Sequence, residues 1–258
     1  MNKILNKQIV ANNIKRLEVT ADVISHKAKA GQFVMVMADE HSERIPLAVA
    51  DTDSHRGTIS LIFEEVGVST KRLGALQIGE SIFSVLGPLG MPIKAGDTKE
   101  VVCCVGYGIG IAQLYTICKA YRKGENKVIG IIGAKTKKSL IFESQMRLVC
   151  HKLYATTDDG SYERKGDVTV CLADAIKKEN ITLVIASGPL EMMRSICDTT
   201  RAKKIKTNVL LNTIMVDGIG LCGSCKVNVA GKEVLACVDG PQFDGHAIDF
   251  EELMAKAL

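Results

Sequence analysis

The stretch VVCCVGYGIGIAQLYTICKAYR, residues 101–122, decides the fold. Residues 101–105 form a continuous apolar run, as in a strand buried on both faces of a parallel sheet. Gly106, Gly108 and Gly110 follow as a G-x-G-x-G turn. From 110 to 122, Ile111, Leu114, Tyr115, Cys118 and Ala120 recur at helical spacing. Strand, glycine turn and helix make the first half of a βαβ unit, and the helix N-terminus there presents aligned N–H groups to an anion such as a pyrophosphate. The spacing is not G-x-G-x-x-G, and no acidic residue about twenty positions on stands out as a ribose ligand. A simple tight turn is therefore the competing reading of this motif.

The alternation continues downstream. Strands are expected at 127–132, 151–156, 182–186 and 207–212, and helices at 139–150, 168–178 and 191–202. This rhythm predicts a doubly wound parallel sheet over residues 98–212. Ligands of such sheets bind beyond the carboxyl ends of the strands. Gly133, Asp158, Gly188 and Pro189 fall at those ends. Lys135, Lys137 and Lys138 sit beside Gly133 and suit either a 2′-phosphate or a solvated basic turn. Asp158 in the run DDGS is equally an ordinary turn residue.

Residues 1–97 have a different rhythm. Short apolar or β-branched segments at 16–19, 32–37, 47–50, 58–63 and 81–86 are punctuated by Gly, Asp and Pro, which predicts a small antiparallel barrel. One helix is expected at 69–76, with Ser69 or Thr70 as its N-cap, and residues 90–98 look like a linker. Arg44 precedes Ile45-Pro46-Leu47, Gly67-Val68-Ser69-Thr70 opens the helix, and Gly87-Pro88 ends the last strand. An arginine with a hydroxyl-bearing helix N-terminus is a workable pyrophosphate site. Turn chemistry explains the Gly-Pro pair just as well.

The third part, residues 213–258, carries DGIGLCGSC and, after a predicted hairpin, LACVDG; a short helix at 249–258 closes the chain. Cys222 and Cys225 form a C-x-x-C pair among glycines, and Cys237 follows. Counting Asp217 gives D-x4-C-x2-C-x11-C, the plant-type [2Fe–2S] spacing with a carboxylate in place of the first thiolate. A structural zinc site with three thiolates and one Asp or His is the alternative, as are unligated thiols. His246 is another fourth ligand, placed behind Asp217 because Asp217 keeps the plant-type register.

Composition narrows the class. The chain has 258 residues, a net charge of +4 and nine cysteines. The charge is too small to argue for nucleic acid. No apolar run reaches the length of a membrane span, and the N-terminus does not read as a signal peptide. Nine cysteines without an export signal point to reduced thiols and a cytoplasmic setting. The six cysteines outside the C-terminal segment read as small buried hydrophobes.

Nearly the whole chain resembles a known family. The stretches that carry the likeness are AGQFVMV (30–36), ERIPLAVAD (43–51), FEEVGVSTKRLG (63–74), LGPLG (86–90), VGYGIGIAQLY (105–115), IGAKTKKSLI (132–141), ATTDDGSYERKG (155–166), SGPLEMM (187–193) and MVDGIGLCGSC…ACVDGPQFDGH (215–246). They resemble the ferredoxin–NADP reductase-like electron-transfer subunits of dihydroorotate dehydrogenase B. They are more similar still to the small FAD/NAD-binding subunits of NADH-dependent reduced ferredoxin:NADP oxidoreductase, also called sulfide dehydrogenase. The resemblance implies FAD, a nicotinamide nucleotide at the glycine turn (NADH ahead of NADPH) and a [2Fe–2S] cluster on Asp217, Cys222, Cys225 and Cys237. It implies electron transfer to or from a larger flavin and iron–sulfur subunit, reaching ferredoxin through the complex. No side-chain acid or base is expected to be essential. The dihydroorotate-type subunits carry Cys at the first ligand position, so Asp217 sorts this chain to the second group. Three residues depart from the family pattern. Ala48 replaces a hydroxyl residue, Tyr107 the middle glycine of a Gly-Gly-Gly run, and Gln113 a proline. Two alternatives stay open: an electron-transfer subunit of dihydroorotate dehydrogenase, and a zinc-stabilised nucleotide-binding module without turnover.

Overall fold

Ten residues at the start of the chain, β1 (Asn2–Ala11), pair antiparallel with β2 (Ile14–Thr20) across a two-residue turn. The protein is described as a computed structural model covering residues 2–96 and 99–256. The expected boundary at 97 and 98 and the last two residues of the closing helix lie outside the described residues. The other strands of the first sheet are β3 (Phe33–Met37), β4 (Ile45–Asp53), β5 (Thr58–Glu64), β6 (Ser81–Ile82) and β7 (Ser84–Leu89). The sheet order is β6-β1-β2-β5-β4-β3-β7, with every pairing antiparallel. Its two edge strands, β6 and β7, are consecutive in the chain and separated by Phe83 alone. The sheet thus curls into a nearly closed barrel. Ile4, Leu17, Val19, Val34, Val36, Leu61 and Phe63 alternate inward and fill it.

Two helices attend this sheet. Helix α1 (Asp22–Lys27) is not among the expected elements, and α2 (Val68–Ala75) starts one residue before the expected helix. The N-cap of α2 is Gly67, not Ser69 or Thr70. Thr70 lies three residues in, and its hydroxyl accepts from the N–H groups of Gly67 (3.0 Å) and Val66 (3.1 Å). Lys15 of β2 brackets α2 by bonding Glu65 (2.6 Å) and the Gly74 carbonyl (2.9 Å).

The second sheet is built from β8 (Val101–Tyr107), β9 (Lys127–Ala134), β10 (Lys152–Thr157), β11 (Arg164–Lys165), β12 (Leu183–Ser187), β13 (Lys206–Leu210) and, later, β16 (Gln242–Asp244). Its order is β11-β10-β9-β8-β12-β13-β16. All neighbours are parallel except β13 and β16. The chain leaves β8 toward β9 and β10, then returns to β8's other side with β12 and β13. The switch point of this doubly wound sheet is therefore beside β8. Connecting helices are α3 (Gly110–Lys123), α4 (Glu143–Val149), α5 (Val168–Lys178) and α6 (Leu190–Arg201). The expected helix at 139–150 is shortened to α4, because Phe142 adopts the left-handed conformation (φ 59°) and blocks helical continuity from Leu140. Core strands are buried on both faces: Val102, Cys103, Cys104, Val105, Ile131, Val184 and Ile185 are all inaccessible.

The C-terminal segment is shared between two compact units. Residues 1–93, 212–226 and 235–241 form one unit, and residues 94–211, 227–234 and 242–258 form the other. The segment holds the expected hairpin, β14 (Lys226–Val229) and β15 (Lys232–Leu235), then β16 and α7 (Phe250–Lys256). No helix among the described residues is long and apolar enough to cross a membrane.

Candidate functional site

The loop from Asp217 to Cys225 is shaped by one carboxylate. Asp217 Oδ1 accepts from the N–H groups of Ile219 (2.8 Å) and Gly220 (3.1 Å), and Oδ2 from those of Leu221 (3.0 Å) and Cys222. Four donors satisfy both oxygens. These hydrogen bonds, Ile219's foremost, hold the carboxyl below its ordinary pKa. Gly218 has φ +73°, and a Cβ there would lie 2.5 Å from Met35 Cγ, so only glycine lets the loop seat against β3.

The three thiols sit in different surroundings. Cys222 is exposed, and its pKa is lowered, first by the Ser224 hydroxyl 3.1 Å away. Cys225 and Cys237 are buried with sulfurs 3.3 Å apart. Burial, then the neighbouring Cys225, pushes the Cys237 thiol up to about 12, while the Gly220 N–H opposes the rise. Asp217, Cys222, Cys225 and Cys237 all lie within the first unit. Among the described residues, no three His, Cys, Asp or Glu side chains gather as a single-ion cage. His246 belongs to the second unit, and its Nε2 is 3.0 Å from the Thr200 hydroxyl.

The donor set suits an iron–sulfur cluster. Two buried sulfurs converge, a third thiol lies on a loop three residues away, and a backbone N–H faces one sulfur. Such N–H groups stabilise thiolate charge. Serving as a ligand would require Asp217 to release part of its hold on the loop.

The remaining candidates of the first unit lie on and beside the barrel. Arg44 is exposed and makes no ion pair among the described residues; it immediately precedes β4, which contains Pro46 and Leu47. Ala48 sits on β4 opposite Phe33. Gly67, Ser69 and Thr70 surround the α2 N-terminus, where the Thr70 hydroxyl is engaged in the cap. Gly87 and Pro88 are within β7.

In the second unit the candidates collect on one edge. Gly106 ends the buried part of β8, Gly108 takes φ +55° and Gly110 opens α3. A Cβ on Gly110 would meet the Ser187 carbonyl at 2.3 Å, so the helix N-terminus packs directly on the end of β12. Gly133 is at the end of β9, Asp158 follows β10, and Gly188 and Pro189 join β12 to α6. All are therefore at carboxyl ends around the switch point. Gln113 accepts from the Ser187 hydroxyl (2.9 Å), tying α3 to β12. A pairing that sequence reasoning missed is Tyr107 with Asp158: the phenol donates to Asp158 Oδ2 at 2.5 Å. Burial and the Asp158 hydrogen bond raise the phenol's pKa.

A nearly closed antiparallel barrel, a doubly wound sheet with its glycine turn at the switch point and a three-cysteine loop define a reductase-type electron-transfer protein. The iron-sulfur cluster binding domain of dihydroorotate dehydrogenase B matches residues 212–249. The chain is 37% identical, over 99% of its length and 90% of the relative, to a Thermotoga maritima homologue of the dihydroorotate dehydrogenase B (NAD(+)) electron transfer subunit. It is 39% identical, over 99% of its length and 89% of the relative, to an uncharacterized protein in the adh 3′ region of Clostridium beijerinckii. A solved structure of NADH-dependent reduced ferredoxin-NADP oxidoreductase, described for flavin-based electron bifurcation, superposes with TM-score 0.94 at 36% identity, covering 99% of this chain and 92% of that one. The chain belongs to the family of dihydroorotate dehydrogenase B electron-transfer subunits and their homologues.

Proposed function

We propose that the protein is an electron-transfer flavoprotein subunit linking NAD(P)H, FAD and a [2Fe–2S] cluster to a partner subunit. The observation that carries this reading is the cluster-domain match over 212–249, which contains Asp217, Cys222, Cys225 and Cys237, in a chain with the reductase fold. When bound, the flavin exchanges electrons in pairs or singly, and the cluster exchanges them one at a time. The protein's residues bind and orient these groups. Cys222, Cys225, Cys237 and Asp217 would hold the cluster. A cluster divides four ligands between two irons, whereas tetrahedral zinc needs them around one point, which favours the cluster over zinc for this loop.

The barrel of residues 1–97 would hold FAD. Arg44 supplies positive charge, and Gly67, Ser69 and Thr70 supply the helix N-terminus, for its pyrophosphate. Pro46, Leu47, Gly87 and Pro88 would supply backbone and apolar contact. The domain at 98–212 would take the nicotinamide nucleotide along Gly106, Gly108, Gly110, Gly133, Asp158, Gly188 and Pro189. NADH is preferred to NADPH. The partner would be a larger flavin and iron–sulfur subunit reaching ferredoxin and NADP by bifurcation, in the cytoplasm. The similarity to the oxidoreductase structure and the carboxylate at 217 support this partner. The name of the Thermotoga relative favours a second reading, a dihydroorotate-oxidising partner. Co-purification from the native source separates the two.

The direct test is the visible spectrum and metal content of anaerobically purified protein. Flavin bands, a cluster envelope and about two irons per chain are expected. A colourless protein containing zinc and no flavin would overturn the proposal.

A further inference from the structure

Tyr107 stands at the carboxyl end of β8, beside the switch point, and its side chain runs sideways along the sheet edge. Its Cδ2 lies 3.0 Å from where a Cβ on Gly133 would be, so the ring edge covers the end of β9. Its own Cβ lies 3.3 Å from the corresponding point on Gly188, at the end of β12. Beyond Gly133 the hydroxyl reaches the loop after β10 and bonds Asp158. One side chain therefore spans the course from the glycine turn to the loops after β9 and β10. In a doubly wound sheet that course is the track of a bound dinucleotide. The ring is only half-buried and Asp158 is exposed, so packing does not lock the closed position. Beside the ring, the Thr156 hydroxyl is buried without a hydrogen-bond partner, 3.0 Å from the same Gly133 point.

We propose that Tyr107 gates the nicotinamide-nucleotide site: with its hydroxyl on Asp158 the ring closes the sheet edge over Gly133, and a dinucleotide binds along that edge only when this hydrogen bond opens. The inference rests on the proposed nucleotide site and adds to it a residue that sets affinity. The closed form competes with ligand, so the apparent affinity is reduced by the fraction of protein that is open. Removing the hydroxyl while keeping the ring raises that fraction. A hydrogen bond of ordinary net strength at a part-exposed site corresponds to about three- to tenfold in affinity.

The test is calorimetric titration of purified wild type, Y107F and Y107A with ADP-ribose and with NADH, beside steady-state kinetics. Y107F and Y107A should each bind both ligands about three- to tenfold more tightly than wild type, with KM for NADH falling and kcat unchanged. Flavin content and far-UV circular dichroism confirm that each variant is folded, and Y107F, which keeps the ring, decides the outcome. Unchanged binding in Y107F with weaker binding in Y107A would make the ring a stacking platform and overturn the gate. Weaker binding in Y107F would overturn it as well, since the hydroxyl would then serve the ligand. If all three proteins bind alike, the nucleotide site stands and the gate alone falls. If none binds NADH or ADP-ribose, the nucleotide site fails and the gate with it.

Discussion

The proposed cluster site gives Asp217 two tasks for one carboxylate. Its oxygens organise the loop by accepting from four consecutive N–H groups, and in the proposed site the same group would also be a cluster ligand. A carboxylate offers about four acceptor positions, so every one of them is engaged in the loop. Replacement by Ala removes both tasks. Iron per chain in D217A should fall by half or more while flavin content is unchanged, measured by iron and flavin assay on the same anaerobic preparation. Full iron content in D217A would end the ligand assignment. D217C separates the two tasks, because a thiolate replaces the ligand but accepts the loop N–H bonds poorly. It should keep more iron than D217A and show a shifted cluster spectrum. The iron–sulfur segment was legible from cysteine spacing, which is a local pattern, and the family match over residues 212–249 agrees with it. The hold of Asp217 on residues 219–222 was not, because nothing in DGIGLC distinguishes a carboxylate that bonds backbone from one that faces outward. The Tyr107–Asp158 bond was hidden for another reason. It joins residues 51 apart whose meeting depends on β8, β9 and β10 lying side by side.

At the scale of elements, the expectations held where local chemistry and packing agree. Helix α5 spans the expected 168–178, because Asp167 caps it through the Thr169 N–H and Val168, Cys171, Leu172 and Ala175 make one buried stripe. The helix expected over 139–150 lost its first turn to Phe142, whose left-handed backbone no periodicity signals. Strand β1 went unpredicted because NKILNKQIVA does not alternate cleanly; its polar residues interrupt both faces, and pairing with β2 and β6 decides it. The end of α5 also carries an ionic tie between elements. Glu179, its C-cap, accepts from Lys127 of β9 (2.7 Å) and Lys152 of β10 (2.9 Å). Those bonds, Lys127's first, hold the carboxyl down to about 2. A carboxyl whose folded pKa is depressed stabilises the fold above its unfolded value, about 4.3 for Glu. That stability is lost as pH falls toward the folded value. E179Q should therefore lower the urea midpoint at pH 7, and the gap from wild type should close between about pH 4 and pH 2. A gap that persists undiminished at pH 2 would show that the carboxylate's charge is not the source.

For the whole molecule, the nine cysteines give a readout of the complete architecture. Reading six of them as buried hydrophobes agrees with Cys103, Cys104, Cys118, Cys150, Cys171 and Cys197 all being buried in the second unit. Burial raises the pKa of Cys103, Cys171 and Cys197, and for Cys118 hydrogen bonding with Cys104 comes first among the causes. Buried thiols with raised pKa values form little thiolate and admit no reagent. In the cluster loop, Cys225 and Cys237 are also buried, so Cys222 alone combines exposure with a lowered pKa. Iodoacetamide applied to the folded protein after iron removal should therefore add one adduct, on Cys222, well before any other. The assembled cluster should suppress that adduct, because a thiolate bonded to iron is not free to attack. Denaturation should release all nine. Peptide mass spectrometry over a time course counts and places the adducts. Early labelling of Cys103, Cys104 or Cys118 would mean that the parallel sheet opens readily in solution. Equal labelling of Cys222 with and without the cluster would take that residue out of the ligand set.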